Sequence, residues 1–171
     1  MFSIERLETL RRQTRNGGGG VDQRVDGLLE LIQYARPQSV IEVGCDHGVS
    51  TETWLLHCKR VVAVDPWPDD VVYERFVERC GSYDNLEVIR GRSPEALNEL
   101  PTASFDLCYI DGAHDAISVT TDIVAGLPLV RRGGVIAGHD YYTFGGVHMA
   151  VNSLLGLPHR VFSDGSWAVR K

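Results

Sequence analysis

The 171-residue chain is 43% hydrophobic and 23% charged, with a net charge of −6. That length and composition suit one packed core and exclude global disorder. The acidic balance argues against nucleic acid or a membrane surface as partner, since both ask for a basic face, and no apolar run reaches the length of a bilayer span. The N-terminus lacks the apolar segment of a signal peptide, so a cytoplasmic location is expected. Four cysteines, Cys45, Cys58, Cys80 and Cys108, show no C-x-x-C spacing. They read as reduced, buried thiols rather than disulfides or zinc ligands; a partly exposed, reactive Cys45 is the alternative.

Residues 3–15 place Ile4, Leu7 and Leu10 on one helical face behind a Ser3 cap. Asn16 and the glycines of 17–20 break that helix, leaving a surface linker or a mobile lid. The chain thus divides into an N-terminal helix and hinge over 1–20 and a main domain over 21–171. Val25, Leu28, Leu29 and Ile32 predict a helix over 21–36, ended by Pro37.

The next stretch, 39–51, reads as a buried strand, a glycine turn and a helix. Val40, Ile41 and Val43 are β-branched, as a strand covered on both faces prefers. Gly44 and Gly48 let the backbone turn tightly against a ligand, and the following helix, over 51–58, offers free N–H groups at its start. Ser50 or Thr51 could add a hydroxyl. A second strand over 60–65 ends in Asp65, and a helix over 69–79 is closed by Gly81. After a third strand, 86–90, Ser93 is placed to cap a helix with Pro94 at its first position and Glu95 in its first turn. A fourth strand covers 105–111, a helix 115–130, and Gly133-Gly134 precede a fifth strand over 135–138. A helix over 146–155 follows. Strands 160–162 and 167–170 flank the turn Ser163-Asp164-Gly165-Ser166. This alternation predicts an α/β fold, a parallel sheet with helices on both faces and an antiparallel pair at the end.

In such sheets ligands bind beyond the carboxyl ends of the strands. The strand-end residues are Gly44, Asp65, Gly91, Asp111 and the pair His139-Asp140. A nicotinamide fingerprint would need glycines where Asp46 and Val49 stand, and Asp46 would face a pyrophosphate with like charge. That disfavours a nicotinamide-dependent oxidoreductase. Asp65 can accept two hydrogen bonds from a ribose diol, or it is a solvated acid before a proline-rich turn.

Three segments, E-x-G-x-x-x-G-x-S over 42–50, F-D-x-x-x-I-D-G-x-H over 105–114 and Gly133-Gly134 through Tyr141, together resemble class I S-adenosylmethionine-dependent methyltransferases. The likeness is to the macrocin O-methyltransferase-like and catechol O-methyltransferase-like branches, and it runs from about residue 28 to the end. It implies a doubly wound, mostly parallel seven-stranded sheet in the order 3-2-1-4-5-7-6 with the last strand antiparallel. It implies S-adenosylmethionine as cofactor, held by Glu42, Gly44, Asp46, Gly48, Ser50, Asp65, Arg92, Ser93 and Asp111. Glu42 would hold the turn or the methionine amino group, Ser50 the carboxylate, and Ser93 the adenine, unless Ser93 serves only as a helix cap.

The resemblance assigns catalysis to His114, Asp111, His139 and Asp140. His114 stands where catechol-type enzymes have a basic lysine, and an imidazole can take a proton near neutrality. Asp111, Asp140 and His139 would hold Mg²⁺ or another divalent cation. The catechol-type Asp-Asn pair is replaced here by His139-Asp140 or Asp140-Tyr141, so the metal-free reading, with both residues binding substrate directly, stands beside it. Tyr141, Tyr142 and Phe144 wall an acceptor or pack the last helix; Trp67 covers adenine or packs its loop. The implied activity is O-methylation of a small hydroxylated molecule. A non-catalytic cofactor-binding module acting with a partner is the alternative, and a homo-oligomer that completes the pocket is a further one.

Overall fold

The computed structural model describes residues 24–171. The helix expected over 3–15 and the glycine hinge lie outside the described residues. In chain order the elements are α1 (Arg24–Ala35), β1 (Ser39–Val43), α2 (Val49–Leu55), β2 (Arg60–Asp65), α3 (Asp70–Cys80), β3 (Leu86–Arg90), α4 (Ser93–Asn98), β4 (Phe105–Ile110), α5 (Ala116–Gly126), β5 (Val130–Gly138), α6 (Gly145–Leu155), β6 (Arg160–Val161) and β7 (Trp167–Arg170). They build one seven-stranded sheet in the order β3-β2-β1-β4-β5-β7-β6. β1 pairs in parallel with β2 and β4, and the parallel set extends to β3 and β5. β7 runs antiparallel to both β5 and β6.

Alternation along each strand divides the core between the two faces of the sheet. Ile41, Val43, Val62, Val64, Cys108 and Ile136 pack under α4, α5 and α6 through Leu97, Val119, Ile123, Val147 and Val151. Val40, Val61, Ala63, Leu107 and Tyr109 pack under α1, α2 and α3 through Leu28, Leu31, Trp54, Leu55 and Phe76. Both faces of the central strands are therefore covered. The carboxyl ends of the strands, where backbone pairing stops, are left to carry the loops.

Several boundaries differ from expectation for local reasons. Asp115 caps α5 from outside, its Oδ1 accepting from the N–H groups of Ile117 and Ser118 at 3.1 and 3.0 Å. That helix stops at Gly126 and gives way to a 3-10 turn at Leu127–Leu129, because Pro128 cannot donate to a continuing helix. Gly133-Gly134 do not precede β5 but lie within it. Val130 already pairs with Phe105, the register shifts before Leu107, and Gly133 has φ 77°. The glycines mark a bulge, not a strand start. Arg92, not Ser93, occupies the N-cap of α4. All four cysteines are buried and free, and burial, with Glu42 and Asp65 nearby, pushes the Cys45 thiol well up, against a reactive role. Among the described residues, no helix is long and apolar enough to cross a membrane.

Candidate active site

A cavity of about 990 Å³ opens beyond the carboxyl ends of β1, β2 and β4. Its floor is the turn after β1. Gly44 has φ +82°, and a Cβ there would lie 2.3 Å from the backbone oxygen of Asp111. Only glycine lets these two strand ends approach so closely. Gly48, also at positive φ, does not line the cavity. A Cβ there would meet Cys80 Sγ and Phe76, so this glycine seats α2 on α3.

Asp65 ties the two neighbouring loops together. Its Oδ2 accepts from the N–H of Cys45 at 2.8 Å and of Asp46 at 3.2 Å, and its Oδ1 accepts from the N–H of Trp67 at 2.7 Å. Oδ2 is thus taken by two donors, while Oδ1, with one, keeps acceptor capacity at the cavity that Asp65 lines. The Trp67 indole donates to the Asp46 carbonyl at 2.9 Å, and its ring packs on Phe76 and Tyr73. Trp67 is thus a buried clamp between the loops that also contributes to the cavity wall. Asp46, Trp67 and Asp140 all have positive φ and all line this cavity, so uncommon backbone geometry concentrates at the site.

Glu42 is fully buried beneath the turn and does not line the cavity. It accepts from the Thr51 hydroxyl and, at 3.3 Å, from the Trp54 indole, and so fixes the start of α2. Burial raises its pKa to about 7, against the bonds from Ser50 and Thr51, and the Asp111 charge adds to the rise. The native state therefore holds this proton more tightly than the unfolded chain. Stability from this group is complete below about pH 4.5 and declines as pH rises to about 7. In Glu42→Gln, which keeps a neutral acceptor, that decline disappears. Denaturant titrations should show the variant gaining on the wild type by about 3 kcal/mol between pH 4.5 and 8, on the order of two pKa steps. A pH-independent difference would contradict a protonated Glu42.

On the β3 side, Arg92 and Ser93 reach the cavity, and the Ser93 hydroxyl donates to Asp122 Oδ1. That bond explains why Ser93 caps nothing. Asp122 is 4% exposed on the inward face of α5, and burial holds its carboxyl above the ordinary range. Sequence reasoning missed it, although an acid one turn from Val119 and next to Ile123 on an apolar face is a readable signal.

On the β5 side stand the remaining ionisable groups. His114 Nε2 lies 2.9 Å from Asp140 Oδ2, and its ring stacks on Phe144 with centroids 4.2 Å apart. His139 Nδ1 lies 3.3 Å from Asp140 Oδ2 and 3.8 Å from Asp111 Oδ1, while its Nε2 lies 3.8 Å from Asp164 Oδ2. Both ring nitrogens are buried without a hydrogen bond among the described residues. Burial opposes charging His139, but the Asp140, Asp111 and Asp164 carboxylates outweigh it and raise its pKa. Burial likewise opposes ionising Asp140, but His139 and His114 outweigh it and hold that carboxyl below the ordinary range. Asp111, His139 and Asp140 bring one ligand atom each within 4.8 Å of one another. Asp164, hidden from sequence reasoning by its turn context, packs against the bare face of Gly27 and takes the N–H and hydroxyl of Ser166. Tyr141 is buried and bonds Asn152 through its hydroxyl; Tyr142 is exposed; only Phe144 of the three lines the cavity.

A family model described as Methyltransferase domain matches residues 41–141. The probable O-methyltransferase Rv1220c of Mycobacterium tuberculosis (strain ATCC 25618 / H37Rv) is 35% identical over 135 residues, 75% of this chain. The chain spans 59% of that relative's length. Among solved structures, the O-methyltransferase from Bacillus cereus in complex with SAH aligns with a TM-score of 0.69 at 20% identity, covering 99% of this chain and 92% of that one. Cofactor-bound Rv0187 from MTB aligns with a TM-score of 0.66 at 22% identity, covering 97% and 88%. These two likenesses concern the fold.

Proposed function

The chain belongs to the methyltransferase-domain family whose model it matches, and from that footing we propose that it transfers a methyl group from S-adenosylmethionine to a hydroxyl oxygen of a small acceptor. The observation that carries this reading is one cavity with two chemistries. A glycine floor and the Asp65 carboxylate stand on the β1–β2 side, and an imidazole–carboxylate pair stands on the β4–β5 side.

The residues suit the cofactor. Gly44 lets the ends of β1 and β4 close into a floor for the amino-acid tail, Ser50 lines the cavity with a hydroxyl, and Asp65 can take the ribose diol. When bound, S-adenosylmethionine supplies an electrophilic methyl carbon, and transfer leaves a neutral thioether. The protein's part is to hold the acceptor oxygen in line and to remove its proton. Asp140 fixes the His114 ring through Nε2, which leaves Nδ1 as the basic atom, and Phe144 holds the ring in plane. Phe144 and Ile117 give the acceptor an apolar wall.

The Asp111–His139–Asp140 group also fits a divalent cation. His139, Asp111 and Asp140 bring one ligand atom each within 4.8 Å of one another, an imidazole nitrogen with two hard carboxylate oxygens. Such a cation would lower the pKa of an acceptor hydroxyl. EDTA treatment should then abolish most turnover, with Mg²⁺ or Mn²⁺ restoring it in the wild type but not in His139→Ala; turnover indifferent to chelation would contradict the metal.

The test of the activity is transfer of labelled methyl to a panel of hydroxylated acceptors, with S-adenosylhomocysteine release as the second readout. Transfer to oxygen supports the proposal. Saturable cofactor binding with no product on any acceptor would instead fit a binding module.

A further inference from the structure

We propose that the amino-terminal edge of the sheet, opposite the cavity, docks a short acidic segment of a partner protein. This edge plays no part in the cofactor reading above.

Charge is separated along the strand direction. At the carboxyl ends, Asp46, Asp65, Asp69, Glu95, Asp111 and Asp140 line the cavity against Arg92 and His114. At the other end the sign reverses. Lys59 and Arg60 open β2, Arg131 and Arg132 lie at the start of β5, and Arg160 opens β6. Arg170 and Lys171 stand at the end of β7, which runs the opposite way. Contacts join these residues into one row. The Gln38 carbonyl accepts from the N–H groups of Lys59 and Arg60 at 2.8 and 3.1 Å, and the Gln38 N–H donates to Asp106 at 2.7 Å. Asp106 in turn pairs with Arg131. Arg170 donates through Nη1 to the Gly133 carbonyl at 3.1 Å, and through its backbone N–H to His159, next to Arg160, at 3.0 Å. From β2 to β6 the sheet order counts five strand spacings, roughly 24 Å.

The two acids among these contacts are each taken, Glu87 by Arg60 and Asp106 by Arg131. Lys59, Arg132, Arg160 and Arg170 are exposed and make no ion pair among the described residues. Aromatic rings brace three of the guanidiniums: Arg60 lies over Phe105 at 4.8 Å, Arg160 over Phe162 at 5.6 Å and Arg170 over Tyr34 at 5.0 Å. A guanidinium already held on a ring loses less freedom when a carboxylate arrives, and its planar fork suits that group. An extended segment of about seven residues covers the row. The net charge of −6 repels a long polyanion, whereas a short segment feels chiefly the charges within about 8 Å. The cavity faces the other way, so docking leaves it open.

The experiment is fluorescence anisotropy of labelled octaglutamate titrated with the full chain at low ionic strength. Saturable binding is expected, weakening about tenfold or more as salt rises to physiological strength. Arg132→Glu and Arg160→Glu should each weaken it about tenfold, while Arg75→Glu, the same change in net charge on the exposed side of α3, should leave it within about twofold. Cooperative thermal unfolding of all three variants checks that they fold. No binding of octaglutamate, or equal weakening by all three variants, would overturn the proposal. So would tighter binding of an equally charged oligothymidylate, which would assign the edge to nucleic acid, or of phosphatidylglycerol vesicles, which would assign it to a membrane surface.

Discussion

Asp65→Ala is expected to weaken S-adenosylhomocysteine binding by about 100-fold or more, as read by isothermal titration. Two losses combine. The ribose diol loses a charged acceptor, and hydrogen bonds to charged groups are the stronger ones. In addition, the N–H groups of Cys45, Asp46 and Trp67 lose their shared partner, so both loops that wall the cavity relax. The contribution is thus direct and organisational at once. Asp65→Asn separates the two, since it keeps one acceptor oxygen and should bind more tightly than the alanine variant. Unfolding of the unliganded alanine variant should remain cooperative, because the site lies at the strand ends and not among the core residues of either face. An alanine variant with wild-type affinity would remove Asp65 from the site.

Asp140→Asn should lower kcat by about 100- to 1,000-fold while leaving cofactor affinity within a few-fold, the range that positioned acid–base groups usually supply. The carboxylate orients His114 through Nε2 and stands 3.3 Å from His139, so one change disturbs both imidazoles. An amide in its place can donate to Nε2 and so favour the tautomer with its proton on Nδ1, which is not basic. Asp140 also has φ 63°, a conformation that asparagine tolerates, so the substitution isolates charge from backbone. Steady-state kinetics with saturating cofactor measure this effect. A kcat within twofold of wild type would place the proton transfer elsewhere.

The architecture was readable where local chemistry and tertiary demand agree. Apolar runs ending in Gly44, Asp65 and Asp111 marked parallel strands and their ligand-facing ends. Their spatial order came from the family resemblance, because periodicity carries no information about neighbours. The misreadings have a common origin. Ser93 looked like a cap, but its hydroxyl is claimed by Asp122, a residue on the next long helix, one strand later. Gly133-Gly134 looked like punctuation, but the sheet absorbs them as a bulge. Glu42 reads as holding either the turn or the methionine amino group, and its carboxyl turns into the core toward Thr51 and Trp54, on the side of the turn. Asp164 sat in a turn signal that accounts for it locally, and only the folded chain brings it to His139. Apart from the glycine bulge, each case involves a polar side chain whose partner lies on another element, which is where a reading by window and spacing stops.

The account stands on the glycine floor beneath Asp65 as the seat of a sulfonium nucleoside. A crystal structure grown with S-adenosylhomocysteine tests it most directly. The expected density has the amino-acid tail against Gly44 and Ser50, the ribose diol on Asp65 and the base beside Ser93. Density for the nucleoside elsewhere on the molecule, with this cavity empty, would contradict the account.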